Sequence, residues 1–261
     1  MATIGVFDAG IGGLPLASIL RHRAPQHSLV YLGDAARRPY GPRPAAEVTQ
    51  YVAEAEQFFA DAGCDVWAVA CNTASVVLED QPARLIPRVD MLMANRAAAD
   101  TAPAGTIGVL ATAGTVASGA VGRAISDRDV RELATEDLLR LAEIDGGDDP
   151  RRLQTLVDEA VAILRGWHCT SILLACTDFT CVLDLITAAS DGIAVIDPLG
   201  AAADLVLDTA ARVAAHAGPG RGDRLYLTGP HEVDIRQLAR DTYGLDLPPV
   251  DYATLPTVGA V

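Results

Sequence analysis

Val69-Ala70-Cys71-Asn72-Thr73 returns 105 residues later as Leu174-Ala175-Cys176-Thr177-Asp178, and Thr3-Ile4-Gly5-Val6 returns 103 residues later as Thr106-Ile107-Gly108-Val109. In each longer stretch an apolar, strand-like run leads into a cysteine, and a helix-like pattern follows. Two matches in one order at nearly one offset point to a duplicated unit. Each copy would then place a thiol at the C-terminal end of an equivalent strand. Halves that face each other would set these thiols on opposite walls of one cleft. Such a cleft can take a proton from one face of a carbon and return one to the other.

Working outward, Ile4 to Asp8 reads as a short strand, and Gly10-Ile11-Gly12-Gly13 turns it into a helix ending near Arg23. Ser28 to Gly33, Val66 to Ala70 and Val89 to Met91 read as further strands, with helices near Ala45–Ala62, from about Ala74, and across Arg96–Asp100. The second half restarts with a strand at Thr106–Leu110 and a helix near Val116–Ile125. A long amphipathic helix follows from Pro150, which suits a first helical position. Then come strands at Ser171–Ala175 and Ile193–Ile196, with a helix from about Phe179 between them. A helix over Leu199–His216 leads back to the first half, and the last 45 residues add a short strand and helix. Gly218-Pro219-Gly220-Arg221-Gly222 reads as a surface loop. Strands alternating with helices indicate parallel α/β units. The expected fold is α/β: two pseudo-symmetric domains with parallel sheets and the active site in the cleft between them. The first takes residues 1–93 and 203–261, the second residues 94–202.

The chain has 261 residues, half of them hydrophobic, and a formal net charge of −14. That charge argues against a nucleic-acid partner, which requires clustered cations. No apolar run reaches the roughly 18 residues of a membrane span, and the N-terminus enters a strand without a signal-type segment. A soluble, cytoplasmic protein without membrane contact is expected, with a homodimer left open. All 20 basic residues are arginine. Without lysine there is neither a pyridoxal-phosphate Schiff base nor a P-loop lysine. The five cysteines, Cys64, Cys71, Cys169, Cys176 and Cys181, form no CxxC and have no histidine at zinc-finger spacing. No metal and no cofactor are expected. Cys64 and Cys169 read as small apolar residues near the sheets, and His168 as structural.

Ligands of open parallel sheets bind beyond the carboxyl ends of strands. Asp8, Asp34, Cys71, Thr112 and Cys176 fall at such ends. A helix N-terminus after either cysteine would lower its pKa. Asp8 either caps the glycine turn or serves the site. The turn is not GxGxxG; bringing backbone N–H groups to a carboxylate is at least as plausible as nucleotide binding. Amides beside Tyr40 and Gly41 would suit a carboxylate clamp. Arg96 either neutralises an acid in the cavity or forms a surface ion pair.

Val6-Phe7-Asp8-Ala9-Gly10-Ile11-Gly12-Gly13-Leu14, Pro39-Tyr40-Gly41-Pro42, Ala70-Cys71-Asn72-Thr73-Ala74, Gly108-Val109-Leu110-Ala111-Thr112, Thr115 to Ser118 and Ala175-Cys176-Thr177 together resemble the signature blocks of glutamate racemases. These belong to the cofactor-independent aspartate/glutamate racemase superfamily. Residues 127–170 and the last 45 match poorly. The resemblance implies one cysteine from each domain acting as base or acid, with Asp8 beside the first thiol. It implies Pro39, Tyr40, Gly41, Asn72 and Thr73 as substrate holders, and Thr115 and Thr177 as carboxylate or ammonium ligands. Glu143 matches a family acid of the second domain.

The chain departs from the pattern at three places. Ala9 replaces a serine that helps hold the substrate. Asp178 replaces the histidine of Cys-Thr-His, nearer the Cys-Thr-Glu of aspartate racemases. Asn95-Arg96 stands where an acidic residue and proline are usual. The expected function is a two-cysteine racemase or epimerase acting on an acidic or polar amino-acid-like carboxylate, and not an efficient glutamate racemase. Asp8 and Asp178 would oppose thiolate formation yet serve a proton relay. The competing expectations are an isomerase or decarboxylase of a small carboxylic acid, and a non-catalytic binding paralogue.

Overall fold

The computed structural model describes residues 1–144, 149–213 and 222–259. The first sheet contains β1 (Thr3–Asp8), β2 (Ser28–Gly33), β3 (Val66–Val69), β4 (Arg88–Asp90), β9 (Arg224–Leu227) and β10 (Val250–Tyr252), in the order β10-β9-β2-β1-β3-β4. The second contains β5 (Thr106–Ala111), β6 (Val130–Ala134), β7 (Cys169–Ala175) and β8 (Ala194–Ile196), in the order β6-β5-β7-β8. All pairings are parallel. The order β2-β1-β3-β4 therefore recurs as β6-β5-β7-β8, as the duplicated motifs imply, with β9 and β10 added beyond β2.

Central strands buried on both faces need helices on both sides. Helices α1 (Leu14–Arg23), α10 (Leu199–Val213) and α11 (Ile235–Tyr243) cover one face of the first sheet, and α2 (Ala45–Asp61) covers the other. The second sheet lies between α8 (Pro150–Gly166) and α9 (Leu183–Ser190) on one face, and α4 (Met91–Ala99) with α6 (Ala120–Ala124) on the other. Gly5 and Gly108, equivalent in the repeat, let the helices approach. A Cβ on Gly5 would stand 2.5 Å from the Phe59 ring, and one on Gly108 2.8 Å from Leu164. Cys64 and Cys169 are buried beside these contacts, and His168, at φ 58°, occupies the turn between α8 and β7. No helix among the described residues is long and apolar enough to cross a membrane.

Several boundaries differ from expectation. The helix after Cys71 is only α3 (Asn72–Val76), and a 3-10 turn (Thr177–Val182) follows Cys176. The helix expected over Val116–Ile125 is two, α5 (Ala113–Ser118) and α6, because Gly119 sits at φ 64° between them. Asp90 accepts the N–H of Met93 and starts α4 five residues earlier than Arg96. α4 and α10 span positions 93/94 and 202/203, where the two expected domains divide. β6, β10 and α7 (Glu136–Ile144) were not anticipated. The end of the helix expected to reach His216, and most of the Gly218–Gly222 loop, lie outside the described residues.

Candidate active site

Register brings the key residues to one end of each sheet. Phe7 pairs with Val69, so Asp8 and Cys71 emerge side by side; Ala111 pairs with Ala175, so Thr112 and Cys176 do too. The ends face each other around a cavity of about 160 Å³, and both Cys71 and Cys176 line it. This volume suits a small amino-acid-sized ligand.

The glycine turn after β1 is a close-approach device. Asp8 Oδ1 accepts the N–H groups of Gly10 at 2.6 Å and Gly12 at 3.0 Å. A Cβ on Gly12 would stand 2.5 Å from Asp178 Oδ1 and 2.6 Å from Thr177 Oγ1. Only glycine lets the second half come this near. Thr177 Oγ1 then donates to Asp8 Oδ2 at 3.5 Å, joining the two halves. Asp8 thus both holds the turn and faces the site. A second seam is made of hydroxyls: Thr73 Oγ1 lies 3.1 Å from Thr112 Oγ1 and 3.4 Å from Thr115 Oγ1. Thr112 and Thr115 are 3.0 Å apart. Thr115 is fully buried and supports the wall rather than lining it.

Asp34, fully buried, holds the Pro39-Tyr40-Gly41 loop. It accepts the Tyr40 hydroxyl, Arg37 Nε at 2.7 Å and Thr228 Oγ1 at 2.7 Å. Burial and Asp34 push the Tyr40 phenol far above its usual pKa, so it remains a neutral donor. The Arg38–Pro39 peptide is cis. Pro39, Tyr40 and Gly41 all line the cavity, as do Ala9, Asn72, Thr73, Thr112, Thr177 and Asp178.

Both thiols are held protonated. Burial, then the Asp8 carboxylate, push Cys71 well above the usual thiol range, while the backbone N–H groups of Ala74 and Ala9 pull the other way. Burial, then Asp178, push Cys176 up, with Cys71 and Asp8 adding to the effect and the Asp178 backbone N–H opposing it. The backbone N–H groups therefore act in the expected direction and lose to desolvation and carboxylates. Cys176 Sγ points at Asp178 Oδ2, 3.5 Å away.

Of the two readings of Arg96, the surface ion pair holds and the place in the cavity does not. Arg96 projects from α4 to the surface, bound to Asp127 and Asp100, and is absent from the cavity wall. The cations at the cavity are Arg38, bound to Glu232, and Arg140, 3.2 Å from Asp137. With Glu136 and Leu139, Arg140 comes from α7, in the stretch where the signature blocks fade. The helix-start signal was nevertheless present: Glu136-Asp137 precede Leu138, Leu139 and Ala142, all three buried. Glu143 also belongs to α7, but its side chain lies outside the described residues. No group of three or more His, Cys, Asp or Glu among the described residues is placed to hold a metal.

Residues 16–206 match the family described as Asp/Glu/Hydantoin racemase. The chain belongs to this racemase family. It is similar to the glutamate racemase of Symbiobacterium thermophilum, 34% identical over 237 residues that cover 86% of this chain and 84% of that protein. The glutamate racemase of a Parafrankia strain is 34% identical over 194 residues, covering 71% and 69%. The crystal structure of a glutamate racemase isoform from Bacillus anthracis superposes with a TM-score of 0.84 at 26% identity, over 98% of this chain and 99% of that one. Membership of the racemase family makes this protein a racemase-like isomerase of the class that works without pyridoxal phosphate.

Proposed function

We propose that the protein racemises or epimerises an acidic or polar amino-acid-like substrate through Cys71 and Cys176. The observation that carries this is the shared cavity of the two thiols, one from each half. One sulfur, as thiolate, takes the α-proton. The electron pair left on carbon spreads into the substrate carboxylate, whose oxygens hydroxyl and N–H donors stabilise. The opposite thiol returns a proton to the other face. Because both thiols rest protonated, one must first lose its proton. Asp178 stands within reach of Cys176 for that transfer, and Asp8 is the carboxylate acting on Cys71.

Substrate choice follows from charge and lost contacts. Asp8, Asp178 and Glu136 bring three carboxylates to the cavity, while Arg38 and Arg140 are engaged by Glu232 and Asp137. Ala9 offers no hydroxyl. A missing partner for a buried polar atom costs about 1–3 kcal/mol, roughly five- to 150-fold in binding. Within the acidic and polar class, an extra negative charge on the side chain is therefore disfavoured, and glutamate is expected to be a poorer substrate than a neutral polar amino acid such as glutamine or serine. Chiral chromatography of the products checks this. Paired A9S and D178H changes should raise glutamate racemisation at least fivefold. Efficient glutamate racemisation by the unmodified protein would refute the substrate assignment and leave the thiol roles standing.

A further inference from the structure

Glu136 opens α7, the element that reaches the cavity from the stretch where the signature blocks fade. The thiols act at the α-carbon and do not read the rest of the substrate. Three residues of α7 line the cavity: Glu136, Leu139 and Arg140. Their spacing, i, i+3 and i+4, is one face of a helix. Leu139 is 6% exposed and packs into the core of the second half, which fixes the rotation of α7 with this face toward the cavity.

The Glu136 carboxylate is placed by both of its oxygens. Oε2 accepts the N–H of Ala113, the first residue of α5, at 3.0 Å. Oε1 lies 3.4 Å from the point where a Cβ on Gly41 would stand, and Gly41 itself lines the cavity. A Cβ on Gly114 would stand 2.6 Å from Gly41 O, so glycine there lets the loop come this near. Glu136 therefore sits where the Pro39-Tyr40-Gly41 loop of the first half meets the second half. One oxygen is committed to Ala113, and the other is left at the cavity wall.

A carboxylate only accepts hydrogen bonds. It receives the N–H of a carboxamide and repels a second carboxylate. The cation of the same helix face, Arg140, pairs with Asp137, while the partner of Glu136 is a neutral N–H. The negative charge of Glu136 is thus left for the ligand.

We propose that Glu136 is a specificity-determining residue that accepts a hydrogen bond from the substrate side chain, selecting a carboxamide over a carboxylate. This rests on the cavity being the amino-acid site proposed above, and adds the residue that reads the side chain.

Calorimetric titration of the full chain with L-glutamine, L-glutamate and L-alanine tests it. Glutamine and glutamate differ only at the end of the side chain, and alanine has no side-chain donor. E136Q keeps the shape: its amide oxygen still accepts from Ala113, while its amino end donates. It should lower the preference for glutamine over glutamate at least fivefold and leave alanine within twofold. E136A should weaken glutamine about fivefold or more, and alanine less than twofold. An unchanged preference in E136Q, or equal losses for glutamine and alanine in E136A, would overturn the Glu136 role and leave the cavity as an amino-acid site. Binding of none of the three by the unmodified protein would overturn the role together with the substrate reading beneath it. The expected pattern, with no α-proton exchange for any polar amino acid, would instead defeat the two-thiol chemistry and leave the Glu136 role intact.

Discussion

Cys71 shows how one residue carries opposing demands. Its strand-end position faces a ligand, its following N–H groups favour a thiolate, and burial beside Asp8 disfavours it. Asp8 raises the thiol's pKa, so removing its charge should move thiolate formation to lower pH. D8N keeps an Oδ1 to accept from Gly10 and Gly12, so the turn is preserved. At pH 8, alkylation of Cys71 by iodoacetamide, mapped by mass spectrometry, should be roughly threefold or more faster in D8N. An unchanged or slower rate would show that Asp8 does not act on this sulfur. Arg96 illustrates the opposite case. Its sequence position gave a charge without a direction, and direction is set by the rotation of α4, which begins at the Asp90 cap. Asn95, one residue earlier, turns to the buried side, where it donates to Asn72.

Among the elements, those with a strong local signal were legible and those stabilised by tertiary contact were not. β1, β2 and α2 fall within a residue of expectation because apolar runs and Pro44 bound them. β6 reads Val130-Arg131-Glu132-Leu133-Ala134 and is half-exposed at an edge, held by its pairing to β5. No buried-strand signal exists there to read. α7 was missed for a related reason: its apolar stripe is short, and its partner is the 3-10 turn after Cys176, remote in sequence. Gly5 and Gly108 looked like mere parts of a repeat, whereas packing makes them spacers for α2 and α8. G5A should therefore destabilise the protein by about 1–3 kcal/mol in denaturant unfolding, since a rigid ring blocks the new methyl. G108A should cost less, because the nearest atom is a Leu164 methyl on a flexible side chain. Equal or reversed effects would mean that Phe59 and Leu164 do not set the two helix spacings in this way.

At the scale of the molecule, the duplication seen in two short motifs is the architecture: β2-β1-β3-β4 and β6-β5-β7-β8 carry Cys71 and Cys176 from equivalent strands to one cavity. The strand ends supplying Asp8, Thr112 and both thiols were legible, because parallel sheets put ligands there. Contacts that join the halves were not, since Thr177 to Asp8 and Thr73 to Thr112 depend on how two separately folded faces meet. That meeting is what the proposed chemistry requires. The most direct measurement starts from one pure enantiomer of a turned-over amino acid in deuterium oxide and follows the isotope at the α-carbon by mass spectrometry. With two thiols on opposite faces, early product should carry one solvent deuterium while residual substrate carries none. Product that keeps the substrate's own hydrogen, or deuterium entering substrate and product at equal rates, would contradict a two-cysteine proton transfer.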